Sequence, residues 1–261
     1  MLKLLDGKTL AAQLRQELKI KVATLPQAPA LGVILVGDDP ASHLYVGLKQ
    51  KAATEVGINV ERIDFPANTP AETIKNKLQE WNTRADIHGI LIQFPLPSHL
   101  NEHDIVDTMS PLKDADGFHP DNITKFLSGT GGITPGVSEG IMRLIDLTGQ
   151  NLTKKTATIL ANSNEFSQPL VKLLQDRQVQ TTVTNTADAH ILRVADIIIV
   201  ALGQPKTIMS DMVKDGAILI DIGTTKVGST VMGDVDRDSL QNRNVYLTPV
   251  PGGVGPMTVV M

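Results

Sequence analysis

The chain has 261 residues, of which 41% are hydrophobic and 20% are charged, and its formal net charge is −4. This is the balance of an ordinary globular protein with room for one large or two modest domains, and it argues against general disorder. A net negative charge also argues against a nucleic-acid or membrane-surface protein, because those partners require a concentrated positive field. The absence of cysteine excludes disulfide bridges and thiolate chemistry and fits a reducing compartment.

The charges near the start of the chain and the lengths of its apolar runs indicate where in the cell the protein is located. Lys3, Asp6 and Lys8 interrupt the stretch in which a signal peptide would be continuously apolar. No later apolar run in the sequence approaches the ~18 residues of a membrane span. We therefore expect a cytoplasmic protein.

Short apolar runs alternate with helical patterns, which predicts parallel strands joined by crossover helices. Two such series follow one another. The first is predicted to contain helices at 9–23, 42–56 and 70–82 and strands at 30–36, 59–64 and 89–93. The second is predicted to contain helices at 136–147 and 169–176 and strands at 156–160, 180–184, 197–201 and 217–222. The second series is a nucleotide-binding type of half-sheet, and the region 113–135 is predicted to join it to the first.

The first candidate for chemistry is the strand-to-helix turn 36–42, followed by Tyr45 and Lys49. Their four-residue spacing puts both side chains on one helix face, and the helix starts at a strand's carboxyl end, where open α/β sheets bind ligands. A desolvated lysine can serve as a base, although a solvated lysine beside a half-buried tyrosine explains the same spacing. Short-chain dehydrogenases share the spacing, but they place it after a glycine-rich nucleotide loop, and no second glycine of that pattern follows Gly37.

Three further segments stand out. The segment 93–97, Gln-Phe-Pro-Leu-Pro, follows a strand that its prolines must end, and a glutamine capping the sheet edge is the simpler interpretation. The segment 113–119 combines closely spaced carboxylates with a glycine, which is typical of an Asx-turn or of a general cation site as well as of a binding loop. The segment 248–258 is dense in glycine and proline, which suits close approach of backbone to a flat ligand.

In this order, these four segments and the opening Leu-Asp-Gly-Lys-Thr at 5–9 resemble the bifunctional methylenetetrahydrofolate dehydrogenase/methenyltetrahydrofolate cyclohydrolase family. The resemblance runs through nearly the whole chain. It implies a two-domain α/β fold with a cleft between the domains. An N-terminal folate-binding domain would span 1–115, with 250–261 returning to it, and a Rossmann-like dinucleotide-binding domain would span 116–249.

The resemblance also implies a site. Lys49 would be the catalytic lysine of the cyclohydrolase step, held in a productive state by Gln93, while Asp116 would grip the pterin. Water attacks a methenyl cation in this step, so a neutral lysine can act as base, and the dehydrogenase step needs only aligned donor and acceptor carbons. The implied catalytic residues are Lys49, Tyr45, Gln93 and Asp116. The implied substrate contacts are Tyr45, Gln93, Leu96, Asp116, Pro251, Gly252 and Gly253, within a loop 251–256. The implied NADP contacts are Ala161, Asn162, Ser163 and Thr224, with no metal.

The implied partners are a small-molecule folate and a second copy of the chain in a homodimer, with no nucleic acid and no membrane.

The chain departs from the family at the phosphate loop, usually Gly-Arg-Ser-x-x-Val-Gly-x-Pro, where 161–169 reads Ala-Asn-Ser-Asn-Glu-Phe-Ser-Gln-Pro. Ser167 is expected to obstruct the pyrophosphate, and Glu165 to put negative charge near a helix N-terminus. Asn162 lacks the charge that favours a 2′-phosphate. The segments 185–188 and 221–225 depart as well.

We therefore expect hydrolysis to be retained and NADP-dependent oxidation to be weakened. A non-catalytic or regulatory folate-binding homologue that has lost dinucleotide binding is the alternative. The chain ends at Met261, directly after the glycine-rich loop, where family members continue into a further helix.

Overall fold

The computed structural model of the protein describes residues 1–228 and 230–261. The strands are β1 (Lys3–Leu4), β2 (Ala30–Val36), β3 (Asn59–Phe65), β4 (Gly89–Ile92), β5 (Thr156–Ala161), β6 (Gln180–Thr184), β7 (Ile197–Ala201), β8 (Ile218–Asp221), β9 (Thr225–Val227), β10 (Thr230–Met232) and β11 (Tyr246–Leu247). The α-helices are α1 (Gly7–Ala23), α2 (Pro40–Val56), α3 (Ala71–Thr83), α4 (Glu102–Val106), α5 (Pro120–Ser128), α6 (Gly136–Asp146), α7 (Asn164–Asp176), α8 (Ala189–Leu192) and α9 (Val254–Val260). None of the helices among these residues is both long and apolar enough to cross a membrane.

The chain divides into two compact units, each built around a parallel sheet. The three-stranded unit comprises Ala12–Pro135 and Val260, and the six-stranded unit comprises Met1–Ala11, Gly136–Val259 and Met261. The predicted two-domain α/β architecture is therefore confirmed. The functional division at residues 115 and 116 stays a prediction.

In the three-stranded unit, the sheet order is β3-β2-β4 and both pairings are parallel. The central strand β2 is buried from Val33 to Val36, as expected for a parallel strand covered on both faces. Gly32 lies in the middle of this strand because a Cβ there would come within 2.6 Å of the Trp81 ring. Trp81 projects from α3 and is fully buried, with its indole Nε1 donating to Glu61 Oε1 at 3.0 Å.

In the six-stranded unit, the sheet order is β1-β11-β8-β7-β5-β6 and every pairing is parallel. The chain passes from β5 to β6 on one side and then returns to β7 on the other, so β5 and β7 flank a topological switch point. The predicted strands are all present. The sheet is larger than predicted because β1 and β11 extend it, and two-residue strands carry too little sequence for a periodic pattern.

Three predicted boundaries are wrong, each for a local reason. Helix α7 begins at Asn164 rather than Pro169, because the Ser163 hydroxyl caps it by accepting from Phe166 N at 3.3 Å. Pro169 is tolerated inside the helix. The region predicted only as a joint contains α5, whose cap is the His119 ring, accepting from Asp121 N at 3.1 Å.

The third wrong boundary is at the end of the glycine-rich loop. The sequence predicts a loop from 251 to 256, but α9 already starts at Val254. Pro256 falls in the first turn of this helix, where backbone N–H groups have no intrahelical partner and a proline costs little. The loop therefore ends at Gly253.

Candidate active site

The catalytic candidates lie at the carboxyl edge of the three-stranded sheet. Strand β2 ends at Val36 and a short turn leads into α2, where Asp39 Oδ2 accepts from Ser42 N at 2.7 Å and caps the helix. Strand β4 ends at Ile92, directly before Gln93. Because β3 and β4 flank β2 on opposite sides, the chain changes direction at β2, and the carboxyl edge at such a switch point is where open α/β sheets bind ligands.

Lys49 and Asp116 form an ion pair at this edge. The Lys49 Nζ and Asp116 Oδ2 atoms are 3.4 Å apart, and the two side chains are only 15% and 27% exposed. Burial raises the pKa of the Asp116 carboxyl, the Lys49 ammonium lowers it in opposition, and the charge of Asp114 raises it further. The structure thus brings two residues of the predicted site together although they are far apart in sequence.

Gln93 offers an unused acceptor at the same strand end. Its Nε2 donates to the Phe94 carbonyl at 2.7 Å, which fixes the orientation of the amide. Its Oε1 is buried and has no hydrogen-bond partner within residues 1–228 and 230–261. A buried acceptor without a donor is costly in a finished structure, so this oxygen is available to a ligand or to a rearranged side chain.

The two carboxylates of the segment 113–119 have different surroundings. Asp114 is 2% exposed. Its Oδ1 accepts from Gly117 N at 3.0 Å and Phe118 N at 3.2 Å, and its Oδ2 accepts from His119 N at 2.8 Å and Asn122 Nδ2 at 2.9 Å. The turn interpretation therefore holds for Asp114. In the described part of the chain, no group of three or more acidic or histidine residues is arranged to hold a metal ion.

The remaining candidates of this unit are Tyr45 and Leu96. Tyr45 is half-buried on α2, one turn before Lys49. Leu96 is 8% exposed and packs into the hydrophobic core of the unit, and its backbone N donates to Glu102 Oε1 at 2.9 Å. Leu96 thus packs in the hydrophobic core beneath the end of β4.

Pro251, Gly252 and Gly253 belong to the six-stranded unit, where their loop packs against the start of the chain. The Gly252 carbonyl accepts from Lys8 N at 2.9 Å, and a Cβ on Gly7 would lie 1.9 Å from the Gly253 carbonyl oxygen. This close approach explains why glycine stands at position 7. Pro251 is exposed, whereas Gly253 is buried.

The predicted dinucleotide residues lie at the carboxyl edge of the six-stranded sheet. Ala161 is the last residue of β5, and Asn162 Nδ2 donates to the Leu202 carbonyl at 3.2 Å, which links the ends of β5 and β7 across the switch point. Ser163 follows as the cap of α7. Thr224 is exposed and comes just after β8.

Two of the changed residues of the phosphate loop, Glu165 and Ser167, differ in their exposure to solvent. Glu165 is exposed in the first turn of α7, which confirms the prediction of a negative charge near a helix N-terminus. Ser167 is 2% exposed, and its hydroxyl donates to the Asn164 carbonyl at 3.4 Å. The side chain of Ser167 therefore packs inside the unit and does not obstruct an accessible surface, contrary to expectation.

Sequence analysis missed a buried carboxylate at this edge, Asp221. Its Oδ1 accepts from Gly223 N at 3.0 Å and Asp234 N at 2.9 Å, and its Oδ2 accepts from Val235 N at 2.9 Å. Burial raises the pKa of Asp221 to about 6, against the lowering effect of the Val235 and Asp234 amides, and the nearby Asp234 charge adds to the rise. Asp221 thereby ties the end of β8 to the segment at 234–235.

Asp234 continues this connection to β7. It is fully buried, and its Oδ2 accepts from Leu202 N at 2.7 Å and Gly203 N at 3.0 Å, whereas its Oδ1 has no partner among the described residues. A Cβ on Gly233 would lie 2.0 Å from Asp221 Oδ2. Asp221 and Asp234 together form what we call the carboxylate brace, which links β7, β8 and the segment at 234–235. The only trace of it in the sequence is that each aspartate has a glycine close by, Gly223 and Gly233.

The fold and the site define a class of protein, an α/β enzyme with a dinucleotide-type parallel sheet in one unit and a lysine–carboxylate pair at a sheet edge in the other. Two family models match the chain: the tetrahydrofolate dehydrogenase/cyclohydrolase catalytic domain at residues 5–116 and the corresponding NAD(P)-binding domain at residues 135–261. The chain belongs to the tetrahydrofolate dehydrogenase/cyclohydrolase family. It is an enzyme of one-carbon folate chemistry and carries the family's NAD(P)-binding domain.

Relatives and solved structures agree with this assignment. The bifunctional protein FolD of Halothermothrix orenii is 42% identical over 99% of this chain and 94% of its own length. A crystal structure of the bifunctional FolD enzyme of Campylobacter jejuni is 38% identical, with a TM-score of 0.94 over 100% of this chain and 95% of that one. The Trypanosoma brucei FolD structure, complexed with NADP and an inhibitor, is 32% identical, with a TM-score of 0.92 over 98% of this chain and 92% of that one.

Proposed function

We propose that the protein hydrolyses 5,10-methenyltetrahydrofolate to 10-formyltetrahydrofolate and oxidises 5,10-methylenetetrahydrofolate with NADP, with hydrolysis the stronger activity. The observation that carries the proposal is the Lys49–Asp116 pair, 3.4 Å apart, and the unpartnered Oε1 of Gln93 at the end of β4 supports it. The bifunctional names of the full-length relatives support both reactions.

Hydrolysis requires a base, because water that attacks the methenyl carbon must lose a proton. In the proposed mechanism, the carboxylate of Asp116 accepts hydrogen bonds from two parallel N–H groups of the pterin and gives up its ion pair with Lys49, whose ammonium loses a proton to solvent and becomes a neutral amine. Lys49 then takes the proton of the attacking water as the new C–O bond forms, while Gln93 Oε1 accepts a hydrogen bond from the amine. The hydroxyl of the resulting adduct then loses its proton to solvent as the C=O bond forms and the C–N bond of the ring breaks, and the Lys49 ammonium gives its proton to the departing nitrogen, so one proton is released overall.

The wider substrate contacts are proposed from the family resemblance. Tyr45 would lie against the aromatic middle of the folate, and Leu96 would support the strand end behind it. Pro251, Gly252 and Gly253 would contribute backbone contacts. Residues 1–115 with 250–261 would thus carry the folate chemistry together with Asp116 at the boundary, and the rest of 116–249 would carry the dinucleotide.

The test of hydrolysis compares Lys49→Met with Lys51→Met by the loss of methenyltetrahydrofolate absorbance. Lys51 is exposed on the same helix and supplies the matched change in charge. Removing the base should lower kcat by about 10²–10⁴-fold, whereas Lys51→Met should retain the wild-type rate. Equal rates for wild type and Lys49→Met would contradict the proposal and favour a non-catalytic folate-binding homologue.

NADP would supply a hydride acceptor, and Ala161, Asn162, Ser163 and Thr224 would contact it. The switch point at β5 and β7 fits a dinucleotide in topology. The loop supplies amide and hydroxyl donors but no cation, and Glu165 adds a negative charge to the first turn of α7. We therefore propose weak NADP binding and reduced oxidation. Titration of the pure protein with NADP and NAD tests this, and micromolar NADP affinity with normal methylenetetrahydrofolate oxidation would contradict it.

The proposed assembly is a homodimer, supported by the habit of the family. The proposed location is the cytoplasm, supported by the absence of cysteine. Light scattering of the purified protein tests the first point and cell fractionation the second. A monomer at micromolar concentration, or recovery outside the cytoplasmic fraction, would contradict the respective proposal.

A further inference from the structure

Asp116 follows a short extended segment that is anchored to its neighbours. Ile90 N donates to the Lys113 carbonyl at 2.6 Å, and Ala115 N donates to the Ile90 carbonyl at 3.0 Å, so the segment pairs with β4. Lys113 Nζ donates to the carbonyls of Trp81 and Arg84, at 2.7 and 2.6 Å, at the end of α3. The backbone is therefore fixed up to the residue before Asp116.

The backbone after Asp116 is fixed by Asp114. Gly117, Phe118 and His119 all direct their N–H groups at the Asp114 carboxylate, which closes a turn around it. Gly117 has a φ of +77°, and a Cβ there would meet Pro135 at 3.0 Å, so the turn requires glycine. Asp116 lies between the two anchored stretches.

Asn122 completes this arrangement from α5. It is 5% exposed, and its Nδ2 donates both to Asp114 Oδ2 at 2.9 Å and to the Pro111 carbonyl at 2.8 Å. It is the one side chain among the described residues that donates to Asp114. Asp116 itself has Lys49 as its side-chain hydrogen-bond partner in the described chain. Its own side chain therefore contributes no bond to the turn, and its position depends on the backbone that Asp114 and Asn122 hold.

We propose that Asp114 and Asn122 are positioning residues that set the carboxylate of Asp116 opposite Lys49 for substrate recognition. The inference rests on the proposed function, in which Asp116 accepts two hydrogen bonds from the pterin. Two parallel hydrogen bonds tolerate only a small displacement of the acceptor. A looser turn should therefore weaken folate binding before it unfolds the protein.

The test is a double-mutant cycle on the full chain with 5,10-methenyltetrahydrofolate as substrate. Asn122→Ala removes the side-chain donor and should raise the KM for this substrate about tenfold, which corresponds to about 1.4 kcal/mol. In an Asp116→Ala background the same change should alter the KM less than about twofold, because the group through which Asn122 acts is gone. If Asn122 only stabilised the fold, Asn122→Ala would change the KM by the same factor in the wild-type and in the Asp116→Ala background.

Asn82 provides the matched control. Like Asn122, it makes two hydrogen bonds, with Nδ2 donating to the Thr108 carbonyl at 2.8 Å and Oδ1 accepting from Ser110 N at 2.7 Å, but both of its partners are backbone groups and it is not bonded to Asp114 or Asp116. Asn82→Ala should lower the melting temperature and leave the KM within about twofold of wild type. If Asn122→Ala does not fold, Asn122→Ser retains a hydroxyl donor and should give an intermediate KM.

The outcomes separate this inference from the function on which it rests. A wild-type KM in a folded Asn122→Ala or Asn122→Ser variant, with Asp116→Ala impaired, would overturn the inference alone. An equal factor in both backgrounds would also overturn it. A wild-type KM in Asp116→Ala would overturn the proposed role of Asp116 together with the inference.

Discussion

Asp114 and Asp116 are two residues apart, yet their carboxylates do different work. Asp114 is buried among four donors, whereas Asp116 meets a single lysine. A buried carboxylate is stable only when its oxygens are hydrogen-bonded, so the number of donors decides which of the two is committed to structure. For single residues, the number of hydrogen-bond donors around a carboxylate thus shows whether it serves the structure or is available to a substrate.

The same reasoning applies to Glu165 at the start of α7. A carboxylate in the first turn opposes an anionic ligand through the helix dipole and through direct repulsion. We expect Glu165→Gln to tighten NADP binding about two- to fivefold, the equivalent of 0.3–1 kcal/mol for a charge near a helix end. Isothermal titration at low salt measures the change.

Glu72 is the matched control for this prediction. It is also exposed in the first turn of a helix, α3, but belongs to the three-stranded unit. Glu72→Gln should leave the NADP affinity unchanged. An equal gain in both variants would attribute the effect to net charge alone, and the local explanation would be wrong.

At the scale of elements, packing between β2 and α3 sets the core of the three-stranded unit. The Trp81 ring lies against Gly32, and a Cβ at that position would approach it within 2.6 Å. Glycine in a strand interior is intrinsically unfavourable, so its presence here reflects the space that the ring requires. Sequence periodicity predicts both elements but not their close contact.

We expect Gly32→Ala to lower the free energy of unfolding by about 1–3 kcal/mol through overpacking. Gly47 in α2 is the comparison, because a Cβ there meets nothing within 4 Å. Gly47→Ala should raise stability by about 0.5–1 kcal/mol, since alanine favours a helix interior. Urea unfolding monitored by Trp81 fluorescence measures both. A neutral Gly32→Ala would show that the ring moves aside without cost.

At the scale of the whole molecule, the titration of Asp221 makes stability depend on pH. Its pKa is raised to about 6 in the folded protein, from an ordinary value of 3.8. The folded state therefore binds this proton more tightly than the unfolded state. The stability that the proton contributes is fully present below about pH 4 and is lost as the pH rises through about 6, a total of about 3 kcal/mol.

Carbon-13 NMR of the Asp221 carboxyl should show a titration midpoint near pH 6. Asp234→Asn should lower this midpoint, because it removes the like charge while an amide oxygen can still accept from Leu202 and Gly203. The pH dependence of the free energy of unfolding should become shallower in the same variant. A titration midpoint of Asp221 near pH 4 in the wild type, or a midpoint that Asp234→Asn leaves unchanged, would contradict the prediction that burial and the charge of Asp234 raise the pKa of Asp221.

The α/β class, most helices and strands, and the family follow from the amino-acid sequence alone. They do so because a buried parallel strand needs a continuous apolar run and a crossover helix needs its own period, and both are local patterns. The motifs at 45–49, 93–97 and 113–119 likewise carry the resemblance to the family through residue type and spacing, and the site that they predict stays a prediction. The sequence also predicts Glu165 near a helix N-terminus, which is confirmed, although the predicted start of that helix at Pro169 is wrong.

The strand order, the pairing of β1 with β11 and the partners of the buried carboxylates become known only from the three-dimensional fold. Lys3 meets Tyr246 in that pairing, and Asp221 meets Asp234, across separations that no local pattern encodes. The reason is physical. Burial and hydrogen bonding depend on which donors and acceptors the fold brings together in space, whereas periodicity records only which side of an element each residue occupies.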